Sequence, residues 1–249
     1  MPGRRRTFYV ETLGCPKNQV DSDKLVGTFV ADGMSAVAHA EDADLVVVNT
    51  CAFIEEARQE SIDVVLALAD RKADGAEIVV TGCMAERYGA ELALALPEVD
   101  AVAGFGVPVT LGRKPGAAAL PSFDLLNLPR PPASAPWAYV KVAEGCDKAC
   151  GFCAIPSFRG PQRSRSIAQV LAEVEQLVDG GVQEIVLVAQ DLASYGRDQG
   201  VGTKDIVPLV EAVAARVAWV RLLYLYPSDL TDRLVGAIVA TGVPYFDLS

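Results

Sequence analysis

Short, Val-rich apolar runs alternate with helical patterns through most of this chain, and that alternation constrains its fold more than any other feature. Candidate strands are Thr7–Leu13, Asp44–Asn49, Glu77–Thr81 and a short Ala101–Ala103. Between them Asn18–Ala31, Ile54–Asp70 and Arg87–Leu96 read as helices, with Ile54, Ile62, Val65, Leu66 and Ala69 on one helical face. Runs this apolar suit strands buried on both faces, so residues 1–106 predict a parallel α/β sheet. Residues 107–136 break the pattern. Seven of the 15 Pro fall there, and Pro suits neither helix nor sheet interiors, so a linker or extended crossing segment is expected. From Trp137 the alternation returns, with strands at Ala138–Ala143, Glu184–Ala189 and Trp219–Leu225 and the start of a fourth at Tyr245–Leu248. Ser166-Ile167-Ala168-Gln169 has capping-box spacing and opens a helix whose apolar stripe runs to Val178, with Gly180-Gly181 to stop it. Ile206–Arg216 and Thr231–Ala240 read as the next two helices. Three βα units plus one strand predict an incomplete barrel over residues 137–249, because a closed eight-stranded one takes about 250 residues by itself.

Composition narrows the class. Hydrophobic residues make up 51% and charged residues 22% of the 249, a globular balance. No run of about 18 apolar residues exists to span a membrane. Met1–Arg6 is basic but leads into Val10-Glu11-Thr12, which does not resemble a secretory signal. The net charge of −10 disfavours wrapping of nucleic acid. Residues 1–106 hold 9 Lys+Arg against 18 Asp+Glu, which suits a solvated acidic surface or one that attracts a basic protein.

The six Cys fall into two sets. Cys15, Cys51 and Cys83 each directly follow a strand candidate, in Thr12-Leu13-Gly14-Cys15, Val48-Asn49-Thr50-Cys51 and Val80-Thr81-Gly82-Cys83. Parallel strands all end on one sheet edge, where open α/β sheets place ligands. The repeated position predicts one shared metal site, against the plainer alternative of three separate buried thiols. Cys146, Cys150 and Cys153 form Cys-x-x-x-Cys-x-x-Cys after the strand Ala138–Ala143. Three thiols in eight residues cannot all pair as disulfides, and one metal centre suits them better. Zinc is the rival to iron–sulfur. A closed zinc site takes four ligands, Asp147 is a poor soft-metal donor, and the lone His39 lies in the other half.

A Cys-x-x-x-Cys-x-x-Cys motif after the first strand of a barrel resembles the radical S-adenosylmethionine (SAM) enzymes. Preceded by three strand-end Cys in an acidic α/β domain, the arrangement resembles the methylthiotransferases. Leu13–Asn18, Asn49–Ile54, Cys153–Gly160, Val188–Asp191 and Tyr224–Asp229 are similar to the RimO type, which acts on an aspartate of small-subunit ribosomal protein twelve. The transfer-RNA type matches these segments less well. The resemblance implies an N-terminal methylthiotransferase domain at 1–106, a Pro-rich linker at 107–136 and a partial radical SAM barrel at 137–249. It also implies two 4Fe-4S clusters and SAM as cofactors.

By that resemblance, the cluster at Cys146, Cys150 and Cys153 binds SAM and cleaves it to a 5′-deoxyadenosyl radical. The radical takes a hydrogen from the aspartate β-carbon. The cluster at Cys15, Cys51 and Cys83 delivers sulfur, which a second SAM methylates. No acid–base dyad is expected, because the cofactors carry the chemistry. Phe152 resembles the aromatic that flanks adenine, with loop packing as its alternative, and Gln190 stands where the family contacts the SAM amine. Arg159, Arg163 and Arg165 form a basic run that either orients SAM or an acidic group or is a solvated loop. His39 lies outside every motif and reads as a surface residue. Implied partners are the ribosomal protein, a reducing electron donor and a sulfur donor, with no membrane and no strong nucleic-acid binding. The expected location is cytoplasmic. The alternatives are a transfer-RNA adenosine as substrate, or a non-catalytic iron–sulfur or zinc-binding module.

Overall fold

Residues 6–109, 124–200, 205–242 and 245–248 are described by a computed structural model of the chain. They form two units. One holds the residues up to Pro131 together with Phe152–Phe158, and the other holds Pro132–Gly151 and the residues from Arg159 onward.

The first unit runs β1 (Thr7–Thr12), α1 (Pro16–Ala31), β2 (Ser35–Ala36), β3 (Leu45–Thr50), α2 (Glu55–Arg71), β4 (Glu77–Gly82), α3 (Cys83–Ala95) and β5 (Ala101–Val102). Its five strands are parallel, in the order β2-β1-β3-β4-β5. Central β3 is buried along its whole length. Val46 and Val48 face a core with Val65 and Leu68 of α2 and Met84 and Leu92 of α3. Leu45 and Val47 face the opposite core with Phe8 and Phe29, whose rings lie 5.0 Å apart. This two-sided burial explains why β3 reads as a continuous apolar run.

Two features escape periodicity. The two-residue edge strand β2 is too short to show a period. Helix α3 begins at Cys83, not Arg87, and bends at Gly89 (φ 43°). Of the Pro-rich segment, residues 110–123 lie outside the described residues. Its C-terminal part crosses α1: Leu126 is buried, the Pro129 carbonyl lies over Gly27, and Arg130 pairs with Asp23.

The second unit begins with β6 (Trp137–Lys141) and β7 (Ala143–Glu144). The short helix α4 (Ile155–Arg159), grouped up to Phe158 with the first unit, leads to β8 (Arg163–Ser164). Then come α5 (Ile167–Asp179), β9 (Glu184–Val188), α6 (Val207–Ala214), β10 (Trp219–Leu225), α7 (Asp232–Ala240) and β11 (Tyr245–Leu248). The sheet is parallel, ordered β11-β10-β9-β6. Ala138, Val140, Ile185, Leu187, Val220 and Leu222 pack with apolar residues of α5, α6 and α7. The opposite sheet face carries Trp137, Tyr139, Val186, Leu223 and Tyr245 with the Arg221–Glu184 pair, around a cavity of about 290 Å³. The expected strand Ala138–Ala143 is divided. Its last residue pairs instead with Ser164 in the antiparallel β7–β8 hairpin, because the chain returns there after the Cys loop.

No helix among the described residues is long and apolar enough to cross a membrane. The capping box forms as expected: the Ser166 hydroxyl accepts from the Gln169 N–H, and the Gln169 side chain accepts from the Ser166 N–H at 2.9 Å. Ser166→Ala is expected to lower the unfolding free energy by about 1 kcal/mol. Urea denaturation measures this, and an unchanged midpoint would show that the box contributes nothing.

Candidate functional site

In the first unit, the crevice where the strand order reverses lies between β1 and β3, and the ligand edge is the one at their C-terminal ends. Cys15 follows β1, Cys51 follows β3, and Cys83 follows β4 directly. Cys15 caps α1 and Cys83 opens α3, so two of the three thiols stand where free helical N–H groups favour negative charge.

The three are neighbours. Gly14 has φ +93°, and a Cβ there would stand 2.8 Å from the Cys51 Cβ and 2.9 Å from its sulfur. Only glycine lets the β1 turn pass this close to Cys51. Burial pushes the Cys51 thiol up, the Phe53 backbone opposes it, and the fields of Cys83 and Cys15 push it further up. Ser61 holds the Cys51 backbone, accepting from its N–H at 3.1 Å. Arg87 of α3 donates to the Ala52 carbonyl at 3.1 Å.

Three soft thiol donors on one sheet edge suit a thiophilic metal or an iron–sulfur cluster in donor chemistry. Among the described residues, no three His, Cys, Asp or Glu side chains are already gathered as an ion would need. Phe53 and Ile54, which follow the buried Ala52, are exposed.

In the second unit, Cys146 and Cys150 are half-buried on the loop that leaves β7. Cys153 is also half-buried and lies in the segment grouped with the first unit. The two limbs of the Cys loop are stitched together. The Cys146 N–H donates to the Gly160 carbonyl at 3.1 Å, and Asp147 accepts from the Gln162 N–H at 3.0 Å. Gly145 has φ +81°, and a Cβ there would stand 2.2 Å from the Pro161 carbonyl oxygen.

Beneath the loop lies a charged cluster that sequence reasoning missed. Glu144, 2% exposed, accepts from Arg159 at 3.1 Å and pairs with Lys141 at 2.5 Å. Burial opposes ionisation of Glu144, but Arg159 and Lys141 outweigh it and hold its pKa down at about 2. The signal available was a lysine inside the apolar run Ala138–Ala143.

Arg159 is therefore no solvated loop residue. Nor is Arg165, which is buried against Glu173 at 2.8 Å. Gln190, at the end of β9, donates to Glu144 at 2.8 Å. Its own carbonyl oxygen is buried with no hydrogen-bond partner among the described residues. Phe152 is 84% exposed, so loop packing does not account for it. His39 is exposed, as expected.

Lys148, between Cys146 and Cys150, ties the loop to the strand ends. It pairs with Asp229, lies 3.8 Å from Asp191, and sits 4.6 Å over the Tyr226 ring. The β10 end that delivers Asp229 is irregular, with a register shift after Leu222 and Tyr224 at φ 68°.

Comparison with known proteins adds to this geometry. Residues 7–104 match the family described as "Uncharacterized protein family UPF0004", and residues 140–249 match the Radical SAM superfamily. The chain is 46% identical over 247 residues to the ribosomal protein uS12 methylthiotransferase RimO of Myxococcus xanthus, covering 94% of this chain and 52% of that protein. Against the protein of the same name from Geobacter sulfurreducens it is 44% identical, covering 96% and 57%. The chain thus spans a little over half the length of these curated relatives.

Two solved structures share the fold. The radical S-adenosylmethionine methyltransferase TsrM from Kitasatospora setae superposes with a TM-score of 0.57 at 14% identity, over 99% of this chain and 59% of that one. The cobalamin-dependent S-adenosylmethionine radical enzyme OxsB gives a TM-score of 0.61 at 10% identity, over 99% and 44%.

Removing Glu144 would take a shared carboxylate from two buried cations, Lys141 and Arg159. Glu144→Ala is expected to destabilise the second unit by about 3–5 kcal/mol. Chemical denaturation followed by Trp fluorescence checks this, and a loss below about 1 kcal/mol would show that the cluster is not held as an ion network.

Proposed function

The chain belongs to the radical SAM methylthiotransferase family, of the RimO type, and from that premise we propose that it serves the transfer of a methylthio group to the β-carbon of an aspartate in ribosomal protein uS12. The observation that carries this reading is the placement of Cys15, Cys51 and Cys83 at strand ends on one edge of a parallel sheet, in a chain that separately bears the Cys146–Cys153 motif. A lone radical SAM activity would need only the second set. The naming of its relatives favours the ribosomal protein over a transfer-RNA adenosine.

Two 4Fe-4S clusters and SAM are the cofactors of this proposal, with Cys15, Cys51 and Cys83 holding one cluster and Cys146, Cys150 and Cys153 the other. When bound, the clusters and SAM supply the electron, the radical, the sulfur and the methyl group. The side chains supply position. Glu144, with Lys141 and Arg159, fixes both limbs of the second loop, and Lys148 fixes its middle against Asp229. Gln190 stands beside Glu144 at the end of β9, and its unsatisfied carbonyl oxygen suits an N–H donor such as the SAM amine. Phe152 offers an exposed ring for stacking on adenine. A reducing electron donor, a sulfur donor and a cytoplasmic location complete the proposal.

The test is mass spectrometry of uS12 and of transfer RNA from a strain lacking the gene, with the complete protein restored as wild type or as Cys51→Ala. The expected result is an unmodified aspartate in the deletion strain, rescued by wild type and not by Cys51→Ala. A fully modified aspartate with undermodified transfer-RNA adenosine would overturn the ribosomal reading in favour of the transfer-RNA one.

A further inference from the structure

The three Cys-bearing turns of the first unit share one side chain. Asn18, in the first turn of α1, is 0% exposed. Its amide nitrogen donates to the Leu13 carbonyl at 2.9 Å and to the Thr50 carbonyl at 3.1 Å. Those carbonyls belong to the turns that carry Cys15 and Cys51. Two carbonyl acceptors fix the orientation of the amide, because only its nitrogen can face both. The side-chain oxygen is thereby turned to the third turn, 3.6 Å from the sulfur of Cys83.

The Asn18 backbone adds two more ties. Its N–H donates to the Cys15 carbonyl at 2.9 Å, and its carbonyl accepts from Asn49 at 2.9 Å. Asn49 also donates to Ser22 at 2.9 Å, which binds Thr12 at 2.7 Å, so β1, β3 and α1 are closed into one buried network. The Asn18 side chain thus contacts all three turns.

Resting on the three-cysteine reading above, we infer that Asn18 is a positioning residue that holds the Cys15, Cys51 and Cys83 turns beside one another, so that a bound metal can draw the three thiols together. A buried amide that satisfies two carbonyls costs little to keep and much to break, because its loss takes a donor from both. It acts as an outer-shell partner acts at a metal site, by fixing where the ligands stand.

The test isolates this site in the full chain carrying Cys146→Ala, Cys150→Ala and Cys153→Ala. Cobalt(II) is the probe, titrated anaerobically, because its thiolate charge-transfer bands grow with the number of thiolates bound. Asn18→Asp is nearly isosteric and keeps an acceptor towards Cys83, but cannot donate to Leu13 and Thr50. Val65→Ala, which cuts the same core away from the turns, controls for lost stability. The expected result is a three-thiolate spectrum in the parent. Asn18→Asp should then bind about tenfold or more weakly, with weaker charge-transfer bands, and Val65→Ala should keep the parent's affinity and spectrum. Parent-like affinity and spectrum in Asn18→Asp overturn the inference alone, as does an equal loss in Val65→Ala. Fewer than three thiolates on cobalt in the parent overturn the three-cysteine reading, and the inference with it.

Discussion

Every strand of the two larger sheets runs parallel to its neighbours, and the candidate sites depend on that. In a parallel sheet each strand delivers its next residue to the same edge, however far apart the strands lie in sequence. Helices cover both faces of the first sheet, so this edge is where the strand-end groups converge. Cys15, Cys51 and Cys83 follow the ends of β1, β3 and β4, with Gly14 small enough to let the first turn approach Cys51 and Asn18 tying the three turns together.

The second unit solves a different problem. A loop that carries three thiols within eight residues has little apolar surface to hold it. Its limbs are fixed instead by charge. Glu144 lies on the outgoing limb, Arg159 on the returning limb and Lys141 at the end of β6, all buried. Such a cluster stabilises little against an apolar equivalent of the same volume. It supplies direction instead, since each partner must stay ionised and in place for the others to be tolerated. Lys148 extends the arrangement outward to Asp229, held down in pKa despite burial by Lys148 and Arg197.

The parts legible in the sequence were those with a period or a repeated context. The Val-rich runs at 45–48 and 78–80 announced buried strands because both of their faces are covered, and Ser166 with Gln169 announced a helix start that the backbone adopts. The strand-end context of the three Cys announced a common edge. Other features had no such signal. The edge strand Ser35–Ala36 is two residues long, and helix α3 starts at Cys83 because its first turn doubles as the strand-end turn. For Arg159 and Arg165 the run alone did not decide between orienting an acidic group and a solvated loop, since their carboxylate partners, Glu144 and Glu173, lie outside it. Asn18 stood within a recognisable motif, but its contacts run to residues 13, 50 and 83, which only the folded topology brings together.

The central claim is that the two sets of Cys are two separate cluster sites. Counting iron and acid-labile sulfide after anaerobic reconstitution tests it most directly, on the unsubstituted chain and on one carrying Cys146→Ala, Cys150→Ala and Cys153→Ala. Two sites predict about eight irons falling to about four. About four or fewer in the unsubstituted chain, or zinc in their place, would contradict the claim, because the strand-end thiols would then hold no cluster of their own.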